Sequence, residues 1–356
     1  MKGGLSPTPA HRSRNEETVL SVASLLEWWP MMQKRNWLFL VLWSVVALLG
    51  CHNVGGTPPN QTSAKPLIRK LGTIDVALVE TTPFVFNDKL YRFEWVRADY
   101  AGNTLGDHYR ILDTQTGQTL STFAKGHCFG SAFVDGDTVW VFGVDKGGGN
   151  RIDAYWSKDL KAWESQKAIE LPGWGLFNNS VCRGPDGFIM AIEVGSPPEV
   201  VGTAFTTRFL KSRDLRKWEL LPEPAVYTKD RYSACPTILY LGGTYYMIYL
   251  EAMPAWHFET YIVRSRDLIR WELSPRNPVL RADANDKKIA STKLTPEQRQ
   301  RITGADDINN SDLDLVEFNG RVVINYSWGN QKGIEFLAEA VYDGTLDSFL
   351  KGWFPE

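Results

Sequence analysis

Carboxylic acids stand at two recurring places beside predicted strands, and both places suit acid–base chemistry. Glu193 and Glu251 each end an apolar run, five residues after the aromatic residues Phe188 and Tyr246. If such a carboxyl group is buried, its pKa rises and it suits a general acid; otherwise it is solvated or paired. Two further acids lie close to the starts of predicted strands. The candidates for catalysis are Glu193 and Glu251 at strand ends, and Glu80 and Asp312 near strand starts.

A short pattern, Ser-x-Asp-Leu-x-x-Trp-Glu, occurs three times. The copies begin at Ser157, Ser212 and Ser265, so they are 55 and 53 residues apart. A fixed period of this order is typical of repeat architectures. Because Ser and Asp bond to nearby backbone while Trp favours strands, each copy is predicted to be a hairpin corner rather than part of a binding ring of carboxylates. The tryptophans expected to pack between neighbouring repeats are Trp163, Trp218 and Trp271.

Each repeat contains four predicted strands, which is the content of one propeller blade. About 285 residues with a period near 54 give roughly five repeats. The predicted fold class is therefore all-β, a five-bladed β-propeller with four antiparallel strands per blade. A strand over 73–79 is expected to close the ring by pairing with the last blade. An insertion over 282–310 is expected to contain a short helix at about 296–302, because Thr295 and Pro296 suit a helix start.

The composition narrows the class of protein. Among 356 residues there are 14 Trp, 13 Tyr and 17 Phe, and such an aromatic-rich chain suits strands. The net charge of −2 argues against a nucleic-acid partner. Cys128, Cys182 and Cys235 show no metal-binding spacing and are expected to be buried small residues facing the propeller axis. No cofactor or metal ligand is predicted, although a structural cation on the axis is compatible with the fold.

The N-terminal region is predicted to be a targeting signal. Lys34 and Arg35 precede an apolar run over 37–49, which is short for a membrane span and suits a signal peptide. Leu48-Leu49-Gly50-Cys51 resembles the lipobox of bacterial lipoproteins, which implies cleavage before Cys51 and lipid on its thiol. An uncleaved anchor or an ordinary secretory signal is the alternative. The expected location is the cell envelope, periplasmic or at the surface.

These observations give a predicted domain organisation. Residues 1–30 do not resemble the start of a signal peptide, and translation is expected to begin at Met31 or Met32. The predicted segments are 1–30 as non-structural, 31–50 as signal peptide, 51–70 as a flexible linker rich in Gly, Pro, Asn, Thr and Ser, and 71–356 as the propeller.

The corner motif and the inner hairpins, such as the one that begins at Pro236 and continues through Gly243 to Tyr246, resemble a known superfamily. It comprises the five-bladed β-propeller glycoside hydrolases of the arabinanase, β-xylosidase and invertase type, and the resemblance covers roughly residues 70–356. It implies carboxylates around a central funnel, one serving as acid and another as base or nucleophile. The family usually places Asp, Asp and Glu at the starts of its first three inner strands.

This chain departs from that pattern. Glu80 stands one residue further back than the family acid, the second blade has His127 near that place, and the third has Asn178 and Asn179. The family triad therefore cannot be carried over. His127 is a candidate proton relay or hydroxyl donor, and the two asparagines offer both donors and acceptors to sugar hydroxyls. The further substrate-binding candidates are Arg231 and Tyr232, for a hydroxyl or an acidic sugar, and Trp174, Trp256 and Trp328 as stacking platforms.

The sequence favours a glycoside hydrolase-like protein that acts on poly- or oligosaccharide in the central funnel through carboxylates. The alternative is a non-catalytic glycan-binding lipoprotein, which the missing acids support. A sialidase-like enzyme is disfavoured, because its Asp-box has Gly where Leu160, Leu215 and Leu268 stand. The expected partner is a carbohydrate, with contact to a membrane through the lipid anchor alone.

Overall fold

The computed structural model describes residues 65–355, so the predicted signal peptide, Cys51 and most of the predicted linker lie outside the described part. The first strand is β1 (Arg69–Val76). Three separate four-stranded sheets follow. They consist of β2 (Thr81–Phe86), β3 (Lys89–Val96), β4 (His108–Asp113) and β5 (Thr119–Phe123); of β6 (Cys128–Asp135), β7 (Thr138–Val144), β8 (Arg151–Ser157) and β9 (Glu164–Glu170); and of β10 (Gly175–Gly184), β11 (Gly187–Ser196), β12 (Thr206–Ser212) and β13 (Glu219–Leu220).

The remaining strands form one eight-stranded sheet that divides into two antiparallel units. The first unit is β14 (Ala234–Leu241), β15 (Thr244–Met253), β16 (His257–Ser265) and β17 (Trp271–Leu273); the second is β18 (Asn309–Phe318), β19 (Arg321–Gly329) and β20 (Glu335–Tyr342), with β1. A single parallel pair, Phe258 with Asn309, joins them. The prediction that an N-terminal strand pairs with the last unit is confirmed, although β1 begins at Arg69 and ends at Val76.

The first strands of the units contact one another in a closed circle. The strands β2, β6, β10, β14 and β18 are neighbours in that order, and β18 returns to β2. Short polar side chains join consecutive strands. Thr82 accepts a hydrogen bond from the amide of Ala132 (3.2 Å), and Thr237 donates to the carbonyl of Leu313 (2.6 Å). These two bonds join β2 to β6 and β14 to β18 near the axis.

The corner motif is a turn, as predicted. In the first copy the Ser157 hydroxyl accepts from the amide of Leu160 (2.9 Å), and the Asp159 carboxylate accepts from the amides of Lys161 and Ala162. Those two backbone donors lower the pKa of Asp159. The other copies repeat the same bonds. The motif aspartates are therefore occupied by the turn.

The motif tryptophans lie between neighbouring units, which confirms their predicted role. Trp163 stacks on Phe123 of the preceding sheet, with ring centroids 4.0 Å apart and an interplanar angle of 8°. Trp218 meets Phe142 edge-on at 5.5 Å, and Trp271 stacks on Phe209 at 5.5 Å. The second, third and fourth units thus each pack a tryptophan ring against the unit before them, which couples these repeats.

The insertion before β18 holds β1 in place at the point where this strand completes the ring. Its helix α2 (Pro296–Gly304), which follows α1 (Pro198–Val201), begins with the predicted Thr295 cap and ends two residues later than expected. Lys70 of β1 donates to Asp286 (2.8 Å) and Asn310 (2.7 Å), and Tyr326 donates to the other Asp286 oxygen (2.6 Å). Because Asp286 is fully buried, this paired charge fixes β1 against the insertion. The last helix is α3 (Leu346–Gly352).

Cys128 and Cys182 are buried, as expected, and Cys235 is partly buried. Of the three, Cys235 alone lines the hollow on the axis, whereas Cys182 packs in a hydrophobic cluster with Ile189 and Phe209, so the expectation that all three face the axis is wrong. Among residues 65–355, no helix combines the length and the apolarity needed to cross a membrane.

Candidate functional site

Bulges at the starts of the inner strands position the site. Each first strand of the second to fifth units has an irregular register near its start. In three of them a residue other than glycine takes a left-handed conformation: Phe129 (φ 49°), Cys235 (φ 49°) and Asp312 (φ 48°). A bulge re-aims the groups beside it. The amide of Cys235 consequently donates to the carboxylate of Glu193 at 2.8 Å.

Asn178 joins two of the predicted catalytic acids. Its Nδ2 donates to Oε2 of Glu193 at 3.0 Å and to Oδ1 of Asp312 at 3.4 Å. The other oxygen of Asp312 accepts from the hydroxyl of Ser327 at 3.1 Å. Glu193 belongs to the third unit and Asp312 to the fifth, so these carboxyl groups come together only through the circular arrangement of the units.

A second pair of carboxyl groups, on Glu80 and Glu335, shares one arginine. Arg97 Nη2 contacts Oε2 of Glu80 at 3.3 Å, and the negative charges of Glu80, Glu335 and Asp312 all raise the pKa of Arg97. Asp312 in turn raises the pKa of Glu80, Glu193 and Glu335. Four carboxyl groups and one guanidinium therefore lie within each other's electric field.

Burial dominates the electrostatics of this cluster. It raises the pKa of Glu80 and of Glu193 to about 7, and that of Glu335 to about 8, in spite of the opposing effect of Arg97 on Glu80 and Glu335. Two donors, the amide of Cys235 and the side chain of Asn178, partly offset the effect on Glu193. A carboxyl group that keeps its proton near neutral pH can donate it, which is the property of a general acid.

A continuous row of aromatic rings runs along the first four units. It begins at Trp95, which lies under the guanidinium of Arg97 at 5.0 Å and contacts Phe129 at 4.8 Å. The row continues through Phe177, Phe205, Tyr232 and Phe258, with neighbouring centroids 5.1–5.8 Å apart. Burial raises the pKa of Tyr232, and the negative charges of Glu193, Asp312 and Glu335 raise it further. The row of rings therefore lies beside the acids and forms part of their apolar surroundings.

The hollow on the axis is small. Its cavity of about 30 Å³ is lined by Glu80, Asp312 and Asp314 together with short polar side chains. A cavity of this size has room for roughly two water molecules. A sugar ring does not fit inside the hollow, and a substrate that reaches the acids has to lie at its mouth.

Glu251 does not join this cluster, contrary to expectation. It accepts from the hydroxyl of Tyr249 at 2.8 Å and lies 3.8 Å from Arg231, in a separate group between the third and fourth units. The strand register gives the reason. Phe188 faces the serine of its corner motif, whereas the residue in the same place in the fourth unit is Tyr245, not Tyr246. Glu251 is thus one residue out of step with Glu193 and points to the opposite face.

Two of the predicted substrate-binding residues, His127 and Asn179, are held by other contacts. His127 binds Asp153 (2.8 Å) and Tyr155 (3.0 Å) in a group of its own. Asn179 donates to the carbonyl of Phe129 and accepts from Ser131, so its amide is already occupied in joining the inner strands.

Of the predicted stacking platforms, Trp328 is a core residue. It is fully buried, donates to Thr73 and stacks on Phe336 at 4.4 Å, so it is not the exposed platform that we expected. Trp174 is half-buried under Arg208 at 5.7 Å, and Trp256 packs edge-on against Phe258.

Sequence reasoning missed Arg97 and Glu335. Arg97 directly follows β3, the second strand of its unit, which is the kind of position that revealed Glu193. A search at strand ends for bases as well as acids would have found it. Glu335 begins β20, a third strand, and no pattern in the sequence distinguishes it from other strand-end acids.

Comparison with known proteins gives similarity at the level of fold. No family model matches the sequence, and no curated protein matches it. A solved GH43 protein, BlXynB from Bacillus licheniformis, is similar over 82% of this chain and 58% of its own, with a TM-score of 0.53 and 15% identity. A glycosyl hydrolase from Bacteroides ovatus gives a TM-score of 0.51 at 11% identity, covering 81% of this chain and 92% of its own.

A third similar structure is a complex of BT0996 and RGII. It has a TM-score of 0.53 and 15% identity, and covers 77% of this chain and 92% of its own. The resemblance to propeller glycoside hydrolases is thereby confirmed for the fold, which is nearly all-β, with three four-stranded antiparallel sheets and one eight-stranded sheet of two antiparallel units.

Proposed function

We propose that this protein is a five-bladed β-propeller glycoside hydrolase whose substrate, a poly- or oligosaccharide, binds at the mouth of the axial hollow. The closed circle of inner strands supports the blade count. The observation that carries the activity is the link through Asn178 between Glu193 and Asp312. It brings two carboxyl groups of unlike surroundings close to each other, and cleavage of a glycosidic bond requires such a pair.

In this proposal Glu193 is the acid and Asp312 is the base or nucleophile. Glu193 keeps its proton near neutral pH because it is buried, and it passes that proton to the leaving oxygen. Asp312 is more exposed and accepts hydrogen bonds from Asn178 and Ser327. Because one nitrogen holds both acids at 3.0 and 3.4 Å, their bonded oxygens are close. That separation favours attack by Asp312 itself, since inverting enzymes leave roughly 6.5–9.5 Å for a water.

The test is turnover by the Asp312→Asn variant. We expect wild-type protein to release sugar from one or more of a panel of arabinans, xylans and aryl glycosides, and the variant to lose about 10²–10⁴-fold in kcat. The matched control is Asp306→Asn, an exposed aspartate six residues upstream with no hydrogen bond or ion pair to residues 65–355. Equal turnover by the Asp312→Asn and wild-type proteins would remove Asp312 from the mechanism.

A non-catalytic glycan-binding protein is the second candidate. It is favoured by Asn178, an amide near the place where the superfamily usually has an acid, and by the small hollow. Calorimetric binding of an oligosaccharide without release of product over days would decide for it.

We also propose that Cys51 carries lipid and holds the domain at the cell envelope. The support is the lipobox-like sequence that ends at Cys51, followed by a linker rich in Gly and Pro. In a bacterial host, wild-type protein should incorporate labelled palmitate and sediment with membranes, whereas Cys51→Ser should incorporate none and keep the apolar segment that precedes residue 51. Palmitate incorporation by the Cys51→Ser variant would contradict the assignment.

A further inference from the structure

Among the described titratable groups on which the charge of Asp312 acts, Arg97 is the one cation. The other groups lose a proton to become negative, so their own charges cannot favour a negative charge on Asp312. The set comes from several elements packed around the axis. It consists of Glu80 before β2, Arg97 after β3, Glu193 of β11, Tyr232 before β14, Cys235 of β14 and Glu335 of β20.

Two contacts hold Arg97 at the axial hollow. Its Nη2 lies 3.3 Å from Oε2 of Glu80, and the ring of Trp95 packs against the guanidinium at 5.0 Å. Glu80 and Asp312 both line the hollow of about 30 Å³. Because both residues line so small a hollow, the guanidinium bound to Glu80 acts on the charge of Asp312 across a short distance.

The other acids near Arg97 do not balance its charge in mildly acidic solution. Burial raises the pKa of Glu80 to about 7 and that of Glu335 to about 8, so both carboxyl groups are mostly neutral below those values. Under these conditions Asp312 is the acid left to balance the guanidinium. Hydrogen bonding does not saturate Arg97 either, since its buried Nε has no hydrogen-bond partner within the described chain.

The second proposed catalytic acid, Glu193, has different surroundings. The strongest influences on it are burial, two hydrogen-bond donors and the negative charges of Asp312 and Glu80, and Arg97 is not among them. The cation therefore acts mainly on one of the two acids. An acid pair needs such a difference, because one member has to be ionised while the other keeps its proton.

We propose that Arg97 is a positioning residue of the reaction, which acts through Asp312 by keeping this carboxyl group ionised among buried acids. The roles of Asp312 and Glu193 rest on the proposed function, whereas the charge relation between Arg97 and Asp312 does not. A base or nucleophile has to be ionised. Loss of the Arg97 charge should therefore cost most in acidic solution, where protons compete for Asp312, whereas a purely structural loss would be equal at every pH.

The first experiment is the pH profile of kcat/KM for Arg97→Gln and Arg97→Lys between pH 5 and 8, on a glycan or aryl glycoside that the wild-type protein cleaves. Glutamine keeps an N–H donor for Glu80 and removes the charge, whereas lysine keeps the charge. We expect Arg97→Gln to lose about tenfold or more at pH 5 and much less at pH 7. Arg97→Lys should retain most of the wild-type profile.

Arg97→Met repeats the test with a neutral apolar side chain, so the proposal does not depend on the folding of one variant. It should reproduce the profile of Arg97→Gln. A loss of the same size at every pH, no loss at all, or a loss in Arg97→Lys equal to that in Arg97→Gln would each overturn the proposal.

The matched control is Arg110→Met. Arg110 belongs to the same unit, binds the buried carboxylate of Glu94 and lies 5.0 Å from the ring of Tyr100, much as Arg97 lies beside Trp95. It does not line the hollow, and Glu94 keeps its contact with Arg92 in this variant. The Arg110→Met protein should show the wild-type pH profile. The same acid-side loss as in Arg97→Gln would mean that the effect is not specific to Asp312.

Carbon-13 NMR tests the charge relation without turnover. The protein is labelled at the side-chain carboxyl carbon of aspartate, and Asp312→Asn identifies the Asp312 signal. We expect this signal to change to its protonated form at a higher pH in Arg97→Gln than in the wild type or Arg97→Lys. That shift without any wild-type turnover supports the role of Arg97 and removes the hydrolase. Turnover with an Asp312 signal that does not respond to Arg97→Gln overturns the role of Arg97 and leaves the hydrolase.

Discussion

Replacing Glu193 with glutamine is expected to lower kcat by about 10²–10⁴-fold on substrates whose leaving group is a sugar or an alkyl alcohol. Glutamine keeps the size and an acceptor oxygen beside the amide of Cys235, but has no proton to transfer to the leaving oxygen. Since the buried carboxyl group of Glu193 has a pKa of about 7, the wild-type enzyme should lose activity as the pH rises above that value. The variant's residual activity should lack this decline.

The leaving group distinguishes an acid from a merely structural residue. A nitrophenolate leaves without prior protonation, so the loss in the Glu193→Gln variant should be far smaller on nitrophenyl glycosides than on oligosaccharides. A residue that only positions the substrate would lose the same factor on both. Steady-state kcat measured on the two kinds of substrate therefore shows whether Glu193 donates a proton or only positions the substrate.

Glu251→Gln is the matched control. Both residues lie near the end of the second strand of a blade-like unit and follow an aromatic residue by five positions. Glu251 instead faces Tyr249 and Arg231. We expect the Glu251→Gln variant to keep wild-type kcat on both substrates. If the two variants lose activity equally, the assignment of the acid to Glu193 by strand register is wrong.

Glu193 and Glu251 also show how much of the site could be predicted from the sequence. The corner motif predicted the turns, the tryptophan packing and the period, because each depends on residues close together in the chain. The spacing of five residues found Glu193 and misplaced Glu251, because spacing cannot reveal a one-residue difference in register between two hairpins. Side-chain direction alternates along a strand, so that small difference separates a site residue from a residue between the units.

The rest of the site depends on contacts between distant segments. Arg97 and Glu335 are 238 positions apart and become neighbours only when β20 returns to the start of the ring. Trp328 looked like a free aromatic residue, yet β1 supplies Thr73 to bind its ring nitrogen. Neither of these two contacts is indicated by the neighbouring residues in the sequence. Both follow from ring closure by β1, which the sequence predicted as a topology and not as a list of contacts.

Ring closure also brings several buried carboxyl groups together. Because their pKa values are raised, the protein should become less stable as the pH rises from about 5 to 8. Glu80, Glu193 and Asp314 have pKa values of about 7, and Glu335 of about 8, chiefly because each is buried. In the unfolded chain such groups titrate near 4. Between these values the folded state binds more protons than the unfolded state, so the free energy of unfolding falls with rising pH.

Each such carboxyl group contributes a slope of about 1.4 kcal/mol per pH unit within its window. Glu94, whose pKa is lowered by Arg92 and Arg110, has the opposite sign and loses its contribution only below its unfolded value, in more acidic solution. The two effects place the maximum of stability near pH 5. Urea unfolding followed at pH 5, 6, 7 and 8 should give midpoints that decrease steadily across this range.

The Glu335→Gln variant identifies the source of the slope. Its amide does not titrate, so the variant should lose less stability than the wild type between pH 5 and 8, by about one proton's slope. Lys158→Gln, which removes only a surface pair with Asp137, should leave the wild-type slope unchanged. A free energy of unfolding that stays constant or rises between pH 5 and 8 would mean that these acids are ionised in the folded protein. That result would also remove the proton that Glu193 needs as a general acid, so the thermodynamic and the kinetic predictions depend on the same buried charge.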